Sequence, residues 1–505
     1  MMVLSIRRDD RQLITLLGLI AAIVFGFIAG TQDIAITAWL LAGIGLAVMA
    51  VVTPLAALMV LLVLAPMRTL IATESAIQLP LDIGQLLAGV LLLVWFVTKV
   101  AQRVHLLRFV ASKVYLPLLI FVIAGAFTAL SAFSMGAWLT EWLKWVLMLG
   151  LVVLLLNVED DRAWEWLVLG LVMAGLANAL VGLYTFFGGS GALHLLINNR
   201  FFRAFGTFGQ PNPFGGFMGL LAPLALMAAY AHLCRLWQQW QRLGTLSWLT
   251  SIGFVFYGVS AALIALGLVA SWSRGAWLAF GVSMLVMLFA LPRRWWQGAL
   301  LVMAVGLLGF GAWLSGRLPA SITDRIGSAT QELFVLTDVR GVDVNPENYA
   351  IVERLSHWQA ALNMAQAHPW LGVGLGNYEI AYNQYRLLNW REPLGHAHNY
   401  YLNVLAEAGM IGASAYLVFL VTLFYFSWQI SRKHPDDFAR ALGVGLLGTW
   451  VYLMIHSLTD NLYVNNVFMH LGVMIGVLAM LHRHIDEGGQ YSWTIQPKHS
   501  AFAIR

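Results

Sequence analysis

Residues 164–187 read WEWLVLGLVMAGLANALVGLYTFF, and this run decides the fold class. Its only charged residue is Glu165, near its start. A helix of about 20 apolar residues is long enough to cross the hydrocarbon core of a bilayer. Similar runs recur along a chain of 505 residues that is 60% hydrophobic and 10% charged, with a mean hydropathy of +0.77. The sequence therefore predicts an all-α polytopic integral membrane protein.

The spacing of the apolar segments sets the number of spans. They lie near residues 13–30, 35–52, 55–66, 83–99, 115–133, 139–157, 164–187, 212–233, 248–271, 275–291, 297–315, 403–428, 440–458 and 466–482. As a helix, segment 55–66 would extend only about 18 Å. Residues 35–66 are therefore interpreted as either a full hairpin or a re-entrant one. The prediction is about 14 transmembrane helices, or about 12 with a re-entrant pair.

Basic residues give the orientation. Lys and Arg cluster in loops at residues 99–113, 293–294 and 432–440, which fall on one side of the predicted membrane. Cytoplasmic loops carry an excess of basic residues, so this side and both chain termini are predicted to be cytoplasmic. The excess of basic residues in cytoplasmic loops also accounts for the formal net charge of +5. The basic residues form no continuous stripe of the kind that would indicate a nucleic-acid partner. Segment 13–30 is interpreted as a retained span, and the single cysteine, Cys234, excludes an intrachain disulfide.

This topology divides the chain into four parts. They are N-terminal transmembrane helices (1–315), a large periplasmic loop (316–402), C-terminal transmembrane helices (403–485) and a cytoplasmic tail (486–505). Within the loop, apolar residues at helical spacing predict an amphipathic helix over 353–367. Gly372, Gly374 and Gly376 follow, and they predict a tight turn with close backbone approach.

Three polar stretches lie at the outer ends of predicted spans. Residues 396–412 read HAHNYYLNVLAEAGMIG, in which His396 and His398 precede Asn399, a predicted helix N-cap. Residues 199–216 read NRFFRAFGTFGQPNPFGG and carry Arg203, and residues 270–277 read ASWSRGAW and carry Arg274. Taken alone, each histidine is typical of a solvated or capping residue, and each arginine of an interfacial anchor.

Together, the three stretches indicate a reaction. The topology sends Arg203, Arg274 and His398 to the same face, although they are far apart in sequence. Two guanidinium groups can neutralise a pyrophosphate, and a neutral imidazole can take a proton from an incoming hydroxyl. The chemistry implied is transfer of a group from a lipid-linked pyrophosphate. No Asp-x-Asp sequence lies on the outer side, which favours a reaction without a metal.

The sequence resembles the O-antigen ligase family, which is related to O-antigen polymerases and protein O-oligosaccharyltransferases. The resemblance is carried by RAFGTFGQPN, SWSRGAW, HPWLGVGLGNY and HAHNYYL followed by EAG, in this order within residues 199–465. It implies an inverting glycosyltransferase of the bacterial inner membrane that needs no metal or other cofactor. Such an enzyme moves a glycan from undecaprenyl pyrophosphate to an acceptor, such as the glycolipid lipid A-core, at the periplasmic face.

The resemblance also implies roles for individual residues. Arg203 and Arg274 would bind the donor pyrophosphate, and His398 would be the base that activates the acceptor hydroxyl. Further candidates for the acceptor site or the loop around it are His396, Arg354, Trp358, Asn377, Asn399 and Asp460. From their positions, Glu407 is expected to orient a loop, and Glu141 is expected to pair with Lys144.

Other functions remain open from the sequence. A polymerase of the same superfamily would use a second lipid-linked glycan as acceptor. A polyprenyl-lipid or sugar transporter would also need arginines in the membrane, but near the bilayer midplane and between related repeats. A purely structural membrane protein would explain the composition but not three ordered motifs on one side.

Overall fold

The computed structural model describes residues 34–67, 83–102, 113–158, 160, 162–189, 193–197, 200–317, 338–345 and 348–486. The first helices are α1 (Ile34–Val52), α2 (Pro54–Leu64), α3 (Ile83–Ala101), α4 (Leu116–Phe127), α5 (Met135–Leu156), α6 (Ala163–Tyr184) and α7 (Pro211–Leu243). They are followed by α8 (Trp248–Ala270), α9 (Arg274–Ala290), α10 (Trp295–Leu314), α11 (Tyr349–Ala367), α12 (Tyr378–Tyr385), α13 (Tyr400–Lys433), α14 (Asp437–His456) and α15 (Val467–Asp486).

The helices confirm a multi-pass membrane protein. Among the described residues, nine helices are long and apolar enough to cross a membrane. Four shorter apolar helices accompany them, at Gly43–Val52, Pro54–Leu64, Arg274–Ala290 and Val467–Arg483. The predicted first span, 13–30, lies outside the described residues, so the total of 12 to 14 spans stays a prediction. So does the choice between a crossing and a re-entrant hairpin at 35–66, where the chain breaks at Thr53 with a φ of −145°.

Helices α7 and α14 form the centre of the bundle. The spanning part of α14 is 83% buried, and it packs against α7, α9 and α13. Glycines allow the close approach, because a Cβ at Gly219 of α7 would overlap the ring of Tyr452, and one at Gly448 would overlap Met287. At the other extreme, the spanning part of α10 is 6% buried and packs against α9.

Within the described ranges, two very short strands lie among the helices. Leu196–Ile197 pairs antiparallel with Phe201–Phe202, with Leu196 opposite Phe202. The all-α prediction did not include them, since two residues are too few to produce an alternating pattern. The pair matters for position, because Arg203 follows directly after the second strand.

The segment after α11 forms backbone hydrogen bonds with α13 where that helix is broken. At Gly409, φ is 61° and ψ is −166°, so α13 is not helical there. The N–H of Met410 bonds to the carbonyl of Pro369, and the N–H groups of Val373 and Gly374 bond to carbonyls of α13, at 2.8–2.9 Å. Residues 369–374 thus satisfy backbone groups that the break would leave unpaired.

This arrangement confirms two predictions about the loop. The amphipathic helix predicted over 353–367 is α11, which begins four residues earlier and packs against α13. The predicted tight turn has positive φ at Gly372, Gly374 and Gly376. A Cβ at Gly374 would come within 2.5 Å of Cα of Ala132, so the turn lies directly against a neighbouring segment.

Candidate functional site

The loop of His396–Asn399 connects the α11–α12 region to α13. His398 has a φ of 52°, in the left-handed region that non-glycine residues seldom adopt. Asn399 is the predicted N-cap, and its side chain accepts a hydrogen bond from the N–H of Leu402 at 3.2 Å. The N–H of Tyr400 donates to the carbonyl of Ser457 at 2.7 Å. This bond draws the histidine loop to the end of α14, where Asp460 follows.

His396, His398 and Asp460 form one cluster. The N–H of His398 donates to Nδ1 of His396 at 3.0 Å, so in the neutral His396 ring the proton lies on Nε2. That Nε2 lies 3.5 Å from Oδ1 of Asp460, and Nδ1 of His398 lies 3.9 Å from the same oxygen. If the His398 proton lies on Nδ1, towards Asp460, Nε2 keeps the lone pair that can accept a proton.

Burial decides the protonation state of the cluster. Burial, reinforced by the nearby His396 and Arg354, lowers the pKa of His398 to about 3, although Asp460 acts in the opposite direction. The pKa of His396 is lowered by burial in the same way. Burial also disfavours the charged form of Asp460, but the facing imidazoles outweigh it and hold the pKa of this carboxyl below its usual range. Near neutral pH the cluster therefore holds two neutral imidazoles and one carboxylate.

Arg203 is fixed between two of the predicted motifs. Its Nε donates to the carbonyl of Ser271 at 3.1 Å, and its Nη2 donates to Oδ1 of Asn212, at the start of α7, at 3.0 Å. In the backbone, the N–H of Ala204 bonds to the carbonyl of Ala270 at 2.9 Å. The 199–216 and 270–277 stretches, predicted to share a face, are thus in direct contact.

Arg274 begins α9 next to the loop of Asp460. It follows Trp272, whose φ of 57° is also left-handed, and Ser273, the residue that precedes the helix. A Cβ on the next residue, Gly275, would overlap Oγ1 of Thr459. Since Thr459 precedes Asp460, the structure brings together the loops of Arg203, Arg274 and the histidine cluster.

Other predicted site residues are less closely grouped. Arg354 lies on α11 and is close enough to lower the pKa of both site histidines. Trp358 is buried in a cluster with Val339 and Leu355. Asn377 is fully buried, and its Oδ1 accepts from the N–H of Ser134 at 2.6 Å, so it anchors the glycine turn.

The expected loop contacts are also present. Oε1 of Glu407 accepts from the N–H of Tyr378 at 3.0 Å, as expected of a residue that orients the loop. Lys144 forms an ion pair with Glu141 at 2.5 Å and donates to the carbonyl of Tyr463 at 3.2 Å.

One histidine beside the cluster was not predicted. The ring of His357 lies 6.0 Å from that of His398 and stacks on Tyr382 at 4.9 Å. Its Nδ1 lies 3.1 Å from the hydroxyl of Tyr378, and burial lowers its pKa to about 4. Its sequence signal is weak, namely a polar residue among the apolar positions of an amphipathic helix.

The cluster has the composition of a metal site but not its hydrogen bonding. One ligand atom each from His396, His398 and Asp460 lie within 4.8 Å of one another. However, Nε2 of His396, the atom that faces Asp460, carries the proton while Nδ1 accepts from the backbone. A metal bound at that Nε2 would displace the proton and break the backbone hydrogen bond. The arrangement suits proton transfer better than metal binding.

A family model matches part of the chain. The family model described as O-Antigen ligase matches residues 259–417. This stretch contains Arg274, Arg354 and both site histidines, whereas Arg203 and Asp460 lie outside it. No curated protein matches the sequence.

Proposed function

We propose that the chain transfers a glycan from undecaprenyl pyrophosphate to an acceptor hydroxyl at the periplasmic face of the bacterial inner membrane. The match of residues 259–417 to the O-antigen ligase family model supports this proposal. The observation that supports the proposal is the contact between three loops, which carry Arg203, Arg274 and the His–His–Asp cluster. Neither arginine lies in the middle of a helix, because Arg203 lies in the loop before α7 and Arg274 is the first residue of α9. This favours an interfacial enzyme over a transporter with its charged site at mid-membrane.

Arg203 and Arg274 bind the donor pyrophosphate in this proposal. The hydrogen bonds of Arg203 to Ser271 and Asn212 hold its guanidinium group in a defined orientation before the donor arrives. A preorganised cation stabilises charge as it develops on a leaving group, and it does so without reorganisation during the reaction. The glycosyl–oxygen bond breaks, and undecaprenyl pyrophosphate leaves with the bonding electrons.

His398 removes the proton of the acceptor hydroxyl. As the acceptor oxygen bonds to the sugar carbon, its proton passes to Nε2 of His398. Asp460 faces Nδ1 of the same ring and stabilises the imidazolium that forms, so it acts as a positioning residue. Attack from the face opposite the pyrophosphate inverts the configuration at the sugar carbon.

The low pKa of His398 fits this role once the donor is bound. The free enzyme holds the imidazole neutral, which leaves it ready to accept a proton. A pyrophosphate nearby adds negative charge, which favours the protonated form and makes the imidazole a stronger base. The charge of the two arginines replaces that of a divalent cation, so the proposed reaction needs no metal.

The nearest alternative is a polymerase reaction at the same site. The acceptor would then be a second lipid-linked glycan instead of the lipid A-core glycolipid, while Arg203, Arg274 and His398 would keep their roles. The family model supports both ligase-type and polymerase-type chemistry.

A transfer assay tests the proposal and separates the two reactions. Purified protein is incubated in EDTA with an undecaprenyl-pyrophosphate glycan and with each acceptor separately. We expect product on lipid A-core for a ligase, or on the second lipid-linked glycan for a polymerase. Absence of product on every acceptor, from protein that binds the donor, would contradict the proposed activity. Activity that returns only when Mg²⁺ or Mn²⁺ is added would contradict the metal-independent mechanism.

A further inference from the structure

A polar cavity lies at the opposite end of the bundle from the histidine cluster. It has a volume of about 550 Å³ and is enclosed by the last turns of α7, the end of α9, and the start of α14. Helix α14 runs from Asp437 at this cavity to His456 near the histidine cluster, and its 20 residues span about 30 Å. The cavity is therefore separate from the site described above, and its size is within the range of ligand-binding sites.

The cavity has an excess of positive charge. Its lining includes Arg235, Arg242 and Arg440 together with Asp436 and Asp437. The Asp436 carboxylate accepts from the N–H of Ala439 at 2.8 Å, as the N-cap of α14. The Asp437 carboxylate is shared by two arginines, Arg440 at 3.3 Å and Arg293 at 3.2 Å. The two carboxylates are thus already engaged in contacts with the protein.

Two of the arginines, Arg235 and Arg242, are not held in an ion pair in the part of the chain that the structure describes. The guanidinium of Arg235 lies over the ring of Phe438, 3.9 Å from its centroid. Arg242 is exposed near the end of α7. Among the described residues, neither forms an ion pair with a carboxylate. A phosphate can accept bidentate hydrogen bonds from such groups, and the N-terminus of α14 adds a favourable dipole.

Exposed tryptophans place the cavity at the level of a membrane interface. Trp237 and Trp240 of α7, Trp248 of α8 and Trp295 of α10 are all more than half exposed, and this residue type collects where lipid headgroups meet the hydrocarbon core. Helix α7 has 33 residues, so it is longer than the hydrocarbon core and its last turns extend beyond it. The arginines of α7 thus lie where the phosphates of lipid headgroups are found.

We propose that this cavity binds a phosphate-bearing anion, and that the phosphate belongs to the headgroup of an anionic glycerophospholipid. Arg235 and Arg242 contact the phosphate from α7, and Arg440 contacts it from α14 while its Nη2 stays paired with Asp437. The bound headgroup therefore links the two central helices of the bundle. The proposal does not depend on the glycosyltransferase activity, since it concerns a different cavity.

The only cysteine of the chain provides a direct test. Cys234 lines the cavity and is half-buried, so a bound headgroup should slow its alkylation. The full-length protein is placed in nanodiscs of phosphatidylcholine alone or with phosphatidylglycerol, and the rate of reaction with iodoacetamide is measured. We expect phosphatidylglycerol to slow the reaction about fivefold or more at high occupancy.

Matched variants identify the residues responsible. In Arg235→Gln/Arg242→Gln, alkylation should proceed at the same rate in both kinds of nanodisc. The control Arg294→Gln/Lys433→Gln removes two exposed charges outside the lining and should keep the protection. If the first double variant does not fold, Arg242→Gln alone replaces it, because this side chain is exposed.

Soluble ligands decide the source of the phosphate. Inorganic phosphate or glycerol 1-phosphate, added to phosphatidylcholine nanodiscs at millimolar concentration, should give no protection. Protection by either one would keep the anion site but overturn the lipid as its source. Equal alkylation of the parent protein with and without phosphatidylglycerol, or equal protection in the Arg235→Gln/Arg242→Gln variant, would overturn the proposal.

Discussion

At the scale of single residues, backbone strain accompanies two of the site loops. His398 and Trp272 have φ values of 52° and 57°, and a left-handed conformation costs about 1–2 kcal/mol for a non-glycine residue. Such strain persists only where the surrounding contacts determine the backbone. Here those contacts include the bond from Tyr400 to Ser457 and the packing of Gly275 against Thr459. The loops therefore hold the site in a defined geometry.

The arginine assignments predict a loss of turnover. Arg203→Ala or Arg274→Ala should reduce kcat/KM for glycan transfer by about 10²-fold or more, because each removes a preorganised group that stabilises the leaving pyrophosphate. The corresponding lysine variants should recover only part of this loss, since lysine keeps the charge but not the planar fork. Arg200→Ala is the control and should keep the parent rate, because Arg200 lies three residues before Arg203 and its side chain is exposed. If Arg274→Ala transferred glycan at the parent rate, the assignment of Arg274 to the donor pyrophosphate would be wrong, and the residue would be an interfacial anchor.

The pKa of His398 predicts the pH dependence. A base must be unprotonated, and burial lowers the pKa of His398 in the free enzyme to about 3. Its protonation should therefore not reduce kcat/KM as the pH falls from 8 to 5, whereas a histidine with an ordinary pKa would begin to do so near 6.5. The measurement is kcat/KM across this range at saturating acceptor. An acidic limb near 6.5 that disappears in a His398→Gln variant would contradict the assigned environment.

The sequence predicted some of the candidate site residues but not the contacts between them. Arg203, Arg274 and His398 were predicted because each lies in a polar stretch at the predicted outer end of an apolar run, and their roles stay predictions. Asp460 was a candidate without a defined role, since its contact with His398 depends on how α13 and α14 are joined. His357 could not be identified, because nothing in a helical pattern shows which histidine will pack against another loop.

At the scale of elements, the break in α13 and the segment 369–374 form one unit. The sequence predicted the glycine turn and a single helix after His398, but not that backbone groups of the turn would complete the helix. Hydropathy does not detect such a break, because Gly409 lies within a mainly apolar segment that continues on both sides. The unit fixes the first two turns of α13, which begin directly after the histidine loop.

This unit predicts a large effect of one methyl group. In Gly409→Ala, the new Cβ would overlap the backbone of Trp370, and the φ and ψ of this position are accessible almost only to glycine. We expect a loss of about 3 kcal/mol or more in the free energy of unfolding, measured in detergent. Gly341→Ala is the control, with a φ of 81° but open space around its Cβ, and should cost only about 1–2 kcal/mol. Equal losses would show that the contact with residues 369–374 contributes nothing.

At the scale of the whole molecule, hydropathy located the helices well and their ends less well. The segment predicted at 212–233 continues as α7 to Leu243. Hydropathy missed the last turns because they are amphipathic, and their arginines and tryptophans lower the mean hydropathy. Which helices pack together could not be predicted, since a lipid-facing and a protein-facing surface are similarly apolar. The four-part division of the chain and its orientation stay predictions.

The orientation can be tested with thiol labelling in intact cells. Glu379 is exposed on α12, in the loop predicted to be periplasmic. A cysteine in Glu379→Cys should react with a membrane-impermeant thiol reagent, whereas Cys234, predicted at a cytoplasmic helix end, should react only after the cells are opened. The parent protein reports on Cys234 alone and is the control. Labelling of Cys234 in intact cells, without labelling at residue 379, would invert the topology and remove the site from the periplasmic face.

The central claim is that His398 accepts the proton of the acceptor, and the most direct test is the single-turnover rate of glycan transfer by His398→Gln. Glutamine keeps hydrogen bonding but cannot accept a proton at neutral pH, so the rate should fall by about 10²- to 10⁴-fold while donor binding is nearly unchanged. His396→Gln should lose less, because Nε2 of His396 faces Asp460 as a donor. Transfer by His398→Gln at the rate of the parent protein would contradict the claim.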